Sequence, residues 1–114
     1  MKKGEIFMMI KESMIDCIEA CQKCAMECSI CVADCVGREG MERCMELCLD
    51  CTDICNLCAT LCGRDSRFMD DILEVCIDIC EATAKECERI NTAQGDRCAE
   101  VCWACAEECR RVVV

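Results

Sequence analysis

Cysteines recur in this chain at alternating steps of four and three residues, and they do so in separate stretches. Cys17, Cys21, Cys24, Cys28, Cys31 and Cys35 form the first, Cys44, Cys48, Cys51, Cys55, Cys58 and Cys62 the second, and Cys98, Cys102, Cys105 and Cys109 the last. Such alternation averages about 3.5 residues, the repeat of a helix that keeps one seam turned toward its partners, and it is foreign to the simple alternation of a strand. Between the second and last stretches, Cys76, Cys80 and Cys87 hold the same register. Met69, Leu73, Thr83 and Ile90 occupy seam positions there without a thiol, so the helix persists where the sulfur lapses. The chain has no proline, which leaves every seam free to run as an uninterrupted helix.

Three short stretches punctuate these seams: Gly37-Arg38-Glu39-Gly40, Gly63-Arg64-Asp65-Ser66 and Asn91-Thr92-Ala93-Gln94-Gly95. They predict helices over about 5–36, 41–62, 67–90 and 96–111 within a single domain, 1–114. Gly37 and Gly63 stand where a residue of positive φ closes a helix, Asp65 or Ser66 is placed to cap the third, and Asn91, Thr92 or Asp96 to cap the fourth. Loops of about four or five residues favour antiparallel neighbours. The expected architecture is all-α, an antiparallel up-down-up-down four-helix bundle with a cysteine-lined core. Glu19, Glu27, Asp34, Glu46, Asp50, Asp53, Asp78 and Glu88 fall off the seams and are expected in solvent. A second apolar stripe (Ile18, Ala25 and Val32 on the first helix, Leu47, Ile54 and Leu61 on the second) either widens the core or forms a self-association surface.

Charge and composition remove several functions. A net charge of -10 argues against nucleic acid, and the absence of histidine excludes hydrolases built on that residue. Nineteen cysteines cannot all pair internally. The opening MKKGEIFMMIKESMI carries an apolar patch of five residues, Ile6 to Ile10, shorter than the roughly 7–15 of a secretory signal. No run approaches the roughly 20 apolar residues of a membrane span. A cytoplasmic protein with no membrane association is therefore expected, in a compartment where thiols stay reduced.

Residues three and four apart share a helix face with Cβ atoms about 5–6 Å apart, beyond the roughly 3.5–4.5 Å of a disulfide. Pairs of seam sulfurs therefore suit one small ion better than one another. With no imidazole in the chain and no carboxylate on the seam, the ligand set is nearly pure thiolate, which selects Cu(I), Zn(II) or iron–sulfur clusters. Iron–sulfur sites want cysteines on a bending loop, and these lie straight along helices. Closed tetrathiolate zinc sites each leave surplus negative charge, which is costly when repeated along a buried tube. Cu(I) is satisfied by two or three sulfurs, each of which can bridge two ions, and every ion displaces one proton, so the interior stays near neutral. Empty, the buried thiols remain S–H and pack as small hydrophobes, so the bundle needs no metal to fold.

Through the ladders Cys17 to Cys35 and Cys44 to Cys62 and the closing Cys98-Ala-Glu-Val-Cys102-Trp-Ala-Cys105-Ala-Glu-Glu-Cys109, the chain resembles the bacterial copper storage proteins over essentially its whole length. The resemblance implies a four-helix bundle holding many Cu(I) ions, a place in the cytosolic branch of the family, and assembly as a homotetramer. Members of that family often carry histidine near the bundle mouth. This chain has none, so ions must pass inward over Met, Cys or backbone.

An up-down-up-down course gathers Phe7, Ile10, Met14, Phe68, Met69, Leu73 and Val112 into an apolar plug at one end. It gathers Cys35, Cys44, Cys87 and Cys98 at the other, with Met41 and Met45 close by as soft thioether ligands or as ordinary packing. The candidate metal ligands are all nineteen cysteines with Met41 and Met45. Thr83 is placed to donate a hydrogen bond to a thiolate or to fill space, and Trp103 to pack. The function expected is a binding protein rather than an enzyme: a cytosolic Cu(I) store that exchanges ions with copper chaperones. The alternatives are a general Zn or Cd thiolate buffer, or a thiol redox protein using Cys21-Gln-Lys-Cys24 or Cys102-Trp-Ala-Cys105.

Overall fold

The structure, a computed structural model, describes residues 2–113, with the side chains of 6–10 outside the described set. It contains α1 (Lys3–Cys35), α2 (Glu42–Gly63), α3 (Met69–Arg89) and α4 (Ala93–Val112), with bounds one to three residues from those predicted. Each helix packs against its two neighbours, and the diagonal pairs α1/α3 and α2/α4 stay apart, as an antiparallel up-down-up-down bundle requires. The molecule measures 55 × 22 × 18 Å. At about 1.5 Å per residue the 33 residues of α1 account for most of that length, so its first turns overhang the other three helices.

The second apolar stripe widens the core. Ala25 and Leu61 are buried, and Ile18, Val32 and Ile54 pack against the cysteine seams from the flanks. The α1 stripe lies beside α2, where Thr52 Oγ1 donates to Ala25 O at 3.4 Å. The α2 stripe lies beside α3, where Leu47 O accepts from Thr83 Oγ1 at 3.2 Å. Surface ties add to this: Trp103 Nε1 donates to Glu88 Oε1 at 2.9 Å, and Arg110 pairs with Glu81.

Two of the helix ends differ from expectation. Gly37 closes α1 with φ +78°. Gly63, however, stays helical, and Asp65 takes the left-handed conformation with φ +51°. There Ser66 N bonds to Leu61 O at 3.0 Å and Asp65 N to Cys62 O at 3.3 Å, the paired bonds of a Schellman ending. Asp tolerates that conformation because its short polar side chain bonds locally. Neither Asp65 nor Ser66 caps α3 itself: Ser66 Oγ accepts from Phe68 N at 3.1 Å, ahead of the helix. Of the three candidates for α4, Thr92 is the cap, its Oγ1 accepting from Gly95 N at 2.9 Å. That bond starts α4 at Ala93, earlier than predicted.

The early start also buries Glu27. Expected in solvent, it is only 8% exposed, because the first turn of α4 lays Gln94 beside it, with Nε2 donating to Glu27 Oε2 at 3.2 Å. A second carboxylate, Glu86 on α3, is 6% exposed and held by Arg89 Nε at 2.9 Å and by Arg43 of α2 at 3.8 Å. The hydrogen bonds from Arg89 hold the Glu86 carboxyl below the usual carboxylate range against the opposing effect of burial.

Two predictions follow from these contacts. At Gly95 an added Cβ would lie 2.6 Å from Cys87 O and 2.9 Å from Ile90 Cγ1. Gly95→Ala forces α4 away from α3 and lowers stability by about 1–3 kcal/mol, measurable by chemical denaturation of the metal-free protein. Because the folded pKa of Glu86 is depressed, its stabilising effect is present above the unfolded carboxylate pKa and is lost as pH falls through the folded one. The stability deficit of Glu86→Gln relative to wild type is therefore largest near neutrality and closes in acid, as denaturation at a series of pH values will show.

Candidate metal site

All nineteen cysteines are free thiols, and none is more than 2% exposed. The 4,3 spacing on each helix turns one row of sulfurs inward, and antiparallel packing interleaves the rows from all four. Sulfur–sulfur hydrogen bonds of 3.6–4.0 Å result, mostly between helices: Cys24 with Cys102 at 3.6 Å, Cys24 with Cys51 at 3.7 Å, Cys55 with Cys80 at 3.8 Å, Cys105 with Cys21 at 3.7 Å. Sequential i, i+4 pairs also meet, as with Cys51 and Cys55 at 3.9 Å.

The sulfurs form overlapping groups. Cys17, Cys21, Cys58 and Cys109 lie within 4.8 Å of one another, and so do Cys21, Cys55, Cys76 and Cys105. Further along the tube, Cys24, Cys51, Cys55 and Cys80 form a group, then Cys24, Cys28, Cys51 and Cys102, then Cys31, Cys48, Cys87 and Cys98. Cys21, Cys24, Cys51 and Cys55 each belong to two of these groups. Neighbouring sites thus share ligands, an arrangement that serves bridging thiolates and not isolated, closed tetrathiolate centres.

Burial keeps the empty site protonated. Desolvation pushes the Cys35 thiol up, and contact with Cys17 together with burial pushes Cys62 up to about 12. The two Cys-x-x-Cys motifs sit mid-helix, with all four sulfurs at 0% exposure and bonded across the bundle. Buried thiols in that setting are inaccessible to the attack that disulfide exchange requires.

The two ends of the tube differ. At the α1 C-terminal end, Cys44 contacts Cys31 at 4.0 Å and Cys87 at 3.9 Å, while Met41 and Met45 are half-buried against the core. Cys98 lies deeper than expected, hydrogen-bonded to Cys28 at 3.7 Å. The Arg43–Glu86–Arg89 cluster stands beside this mouth, and Arg89 Nη2 also reaches Gly40 O at 3.5 Å. The cluster is absent from the sequence reading. Its signal was the Glu86-x-x-Arg89 spacing immediately before and after Cys87.

At the opposite end Leu73 is fully buried, with Met69 and Val112 half-buried around it and Met14 also half-buried. Phe68, expected in that plug, is 61% exposed because it precedes the first turn of α3. Phe7 and Ile10 lie outside the described side chains. An apolar cavity of about 300 Å³ flanks this end, lined by Met14, Ile15, Ile18 and Cys62 among others. Thr83 is fully buried on the α3 seam, and its single hydroxyl proton is directed to Ile79 O at 2.7 Å and Leu47 O at 3.2 Å. That proton is committed to backbone and not to a thiolate. Trp103 lies at the surface.

Comparison with known proteins bears on this site. The sequence profile of the copper storage proteins (Csp) matches residues 10–114. No curated protein sequence matches. Among solved structures, apo copper storage protein 3 from Bacillus subtilis is 38% identical, covering 87% of this chain and 97% of its own, with a TM-score of 0.82. The Cu(I)-bound copper storage protein BsCsp3 is 35% identical over 90% of this chain and 99% of its own, with a TM-score of 0.84. A cytosolic copper storage protein from Streptomyces lividans, captured with five coppers, is 27% identical over 92% of this chain and 95% of its own, with a TM-score of 0.88. With its profile matched almost end to end and its sulfur-lined bundle superposing on these structures, the chain belongs to the copper storage protein family.

Proposed function

We propose that this protein stores Cu(I) in the cytoplasm, holding many ions on the nineteen inward cysteines of one bundle and exchanging them with a cytosolic copper chaperone. The observation that carries the reading is the sharing of sulfurs between adjacent four-cysteine groups. A shared sulfur bridges two ions, so the number of ions approaches the number of thiols. Each Cu(I) takes the place of one thiol proton, and the interior passes from empty to full without accumulating charge. Related structures support this: one is Cu(I)-bound and another, from Streptomyces lividans, is loaded with ten copper equivalents. None of the described helices is long and apolar enough to cross a membrane.

In this reading Met41 and Met45 receive ions at the mouth and pass them to Cys35 and Cys44, because a thioether binds soft cations weakly enough to release them. The protein acts by binding, not by catalysis. It works as a single bundle per chain, assembled into a homotetramer as the family resemblance implies. A zinc or cadmium buffer would use the same sulfurs at lower occupancy.

Anaerobic titration of the reduced protein separates the two metals. Copper storage gives loading near one Cu(I) per cysteine, one proton released per ion, and the luminescence of a sulfur-bridged Cu(I) core. Saturation near one Zn(II) per three or four cysteines, with Cu(I) loading no higher, is the result that sinks it. Circular dichroism of the metal-free chain should already show the full helical content. Replacing Met41 and Met45 together by Leu, which preserves apolar packing, should leave capacity unchanged and slow the uptake of Cu(I), as stopped-flow loading will test.

A further inference from the structure

The sulfur lining is not continuous. From Cys17 and Cys109 at the plugged end, S–H···S hydrogen bonds of 3.6–4.0 Å run without a break to Cys28 and Cys98. A second network joins Cys31, Cys44, Cys87 and Cys48 at 3.8–4.0 Å near the mouth. Among the described residues no S–H···S hydrogen bond links the two networks. The boundary passes between Cys28 and Cys31 on α1 and between Cys48 and Cys51 on α2. On α3 it passes between Cys80 and Cys87, and there the seam position is Thr83.

Thr83 makes this boundary more than a widened step. Cu(I) moves through a thiolate lining by ligand exchange, gaining a new sulfur before it leaves an old one. The receiving thiol gives up its proton to the sulfur being vacated, so charge and atoms balance. On α3 the gap from Cys80 to Cys87 spans seven residues, about 10 Å along the axis. The group that fills it is a hard, neutral hydroxyl, a poor ligand for a soft monovalent ion. Its proton is already held by two backbone carbonyls, which fixes the side chain in place.

Resting on the storage reading above, we propose that Thr83 is a positioning residue that divides the store. Cys31, Cys44, Cys48 and Cys87 form an outer compartment that exchanges quickly with the surroundings, and the remaining connected sulfurs form an inner one that exchanges through the neck. The protein would then hold a readily drawn fraction of copper in front of a reserve. The lapse in the cysteine pattern of α3 would be a device and not an omission.

The test is removal of Cu(I) from the fully loaded protein by an excess of a chromophoric Cu(I) chelator under anaerobic conditions, for wild type, Thr83→Cys and Thr83→Val. Wild type should release copper in two phases whose rates differ by about tenfold or more, the fast one amounting to about a fifth of the total. Thr83→Cys supplies the missing sulfur and should merge the phases. Thr83→Val keeps the shape without sulfur or hydroxyl and should retain both. Single-phase release from wild type, two phases in Thr83→Cys, or merged phases in Thr83→Val would each overturn the partition.

A second readout needs no variant. Wild type stopped after the fast phase, unfolded and alkylated at once, should carry label chiefly on Cys31, Cys44, Cys48 and Cys87, whereas label spread evenly along the chain refutes the proposal. If no protein loads near one Cu(I) per cysteine, the storage reading itself fails and the partition with it. Full loading with uniform release defeats the partition alone.

Discussion

Nineteen cysteines occupy the interior of this bundle, and an interior of that kind is stable only while its sulfurs are uncharged. Burying several thiolates together would cost far more than the marginal stability of a small domain supplies. The 4,3 spacing packs the sulfurs to contact, and contact in turn lets each S–H meet a neighbouring sulfur, so the polar part of every thiol is matched within the tube. Proton or Cu(I) then becomes an interchangeable monovalent partner for the same set of sulfurs. The helical repeat, the absence of acidic groups on the seam and the choice of metal all follow from that one requirement of neutrality.

A sulfur seam alone is a thin core. Cys is a small hydrophobe, and a tube lined by it buries less apolar area per residue than one lined by leucine. The flanking stripe supplies the difference: Ala25 and Leu61 are buried, and Ile18, Val32 and Ile54 pack alongside. Cohesion between helices and the chemistry of the tube are therefore assigned to different columns of the same helices. This division lets the seam be composed almost entirely of ligands, and it lets the fold stand before any ion arrives.

Periodicity made the helices, their order and the inward-facing sulfurs legible from residue order alone, because a heptad pattern states which face is buried. It says much less about what happens beside the seam. Glu27 is one position from Cys28 and was placed in water, yet the cap at Thr92 starts α4 one turn before Asp96 and brings Gln94 over it. Asp65, and not Gly63, adopts the left-handed turn because α2 runs on through Gly63 before it closes. Phe68 escapes the plug for a similar reason, since it sits just outside the first turn of α3. Each of these differences arises at a helix end, where one residue of extension rotates every later side chain by about 100°. Glu86 is a different case: its burial depends on Arg43 from another helix, a contact that spacing along α3 does not encode.

The two ends of the tube carry unlike chemistry, and the asymmetry is what turns a sulfur-lined bundle into a vessel. Leu73 closes one end with a group that cannot ligate an ion, and Met69 and Val112 surround it. The other end is rimmed by half-buried thioethers and braced by the Arg43–Glu86–Arg89 cluster, which ties α2 to α3 beside Cys44 and Cys87. Bracing matters there because a cation passing between helices must separate sulfurs that are otherwise in contact, and a mouth free to splay would expose the seam to water and oxidant. Ion pairs at the rim resist that separation without placing a carboxylate among the thiols. The charged groups of this end thus hold the helices together from outside, while the soft atoms inside remain free to trade a proton for an ion.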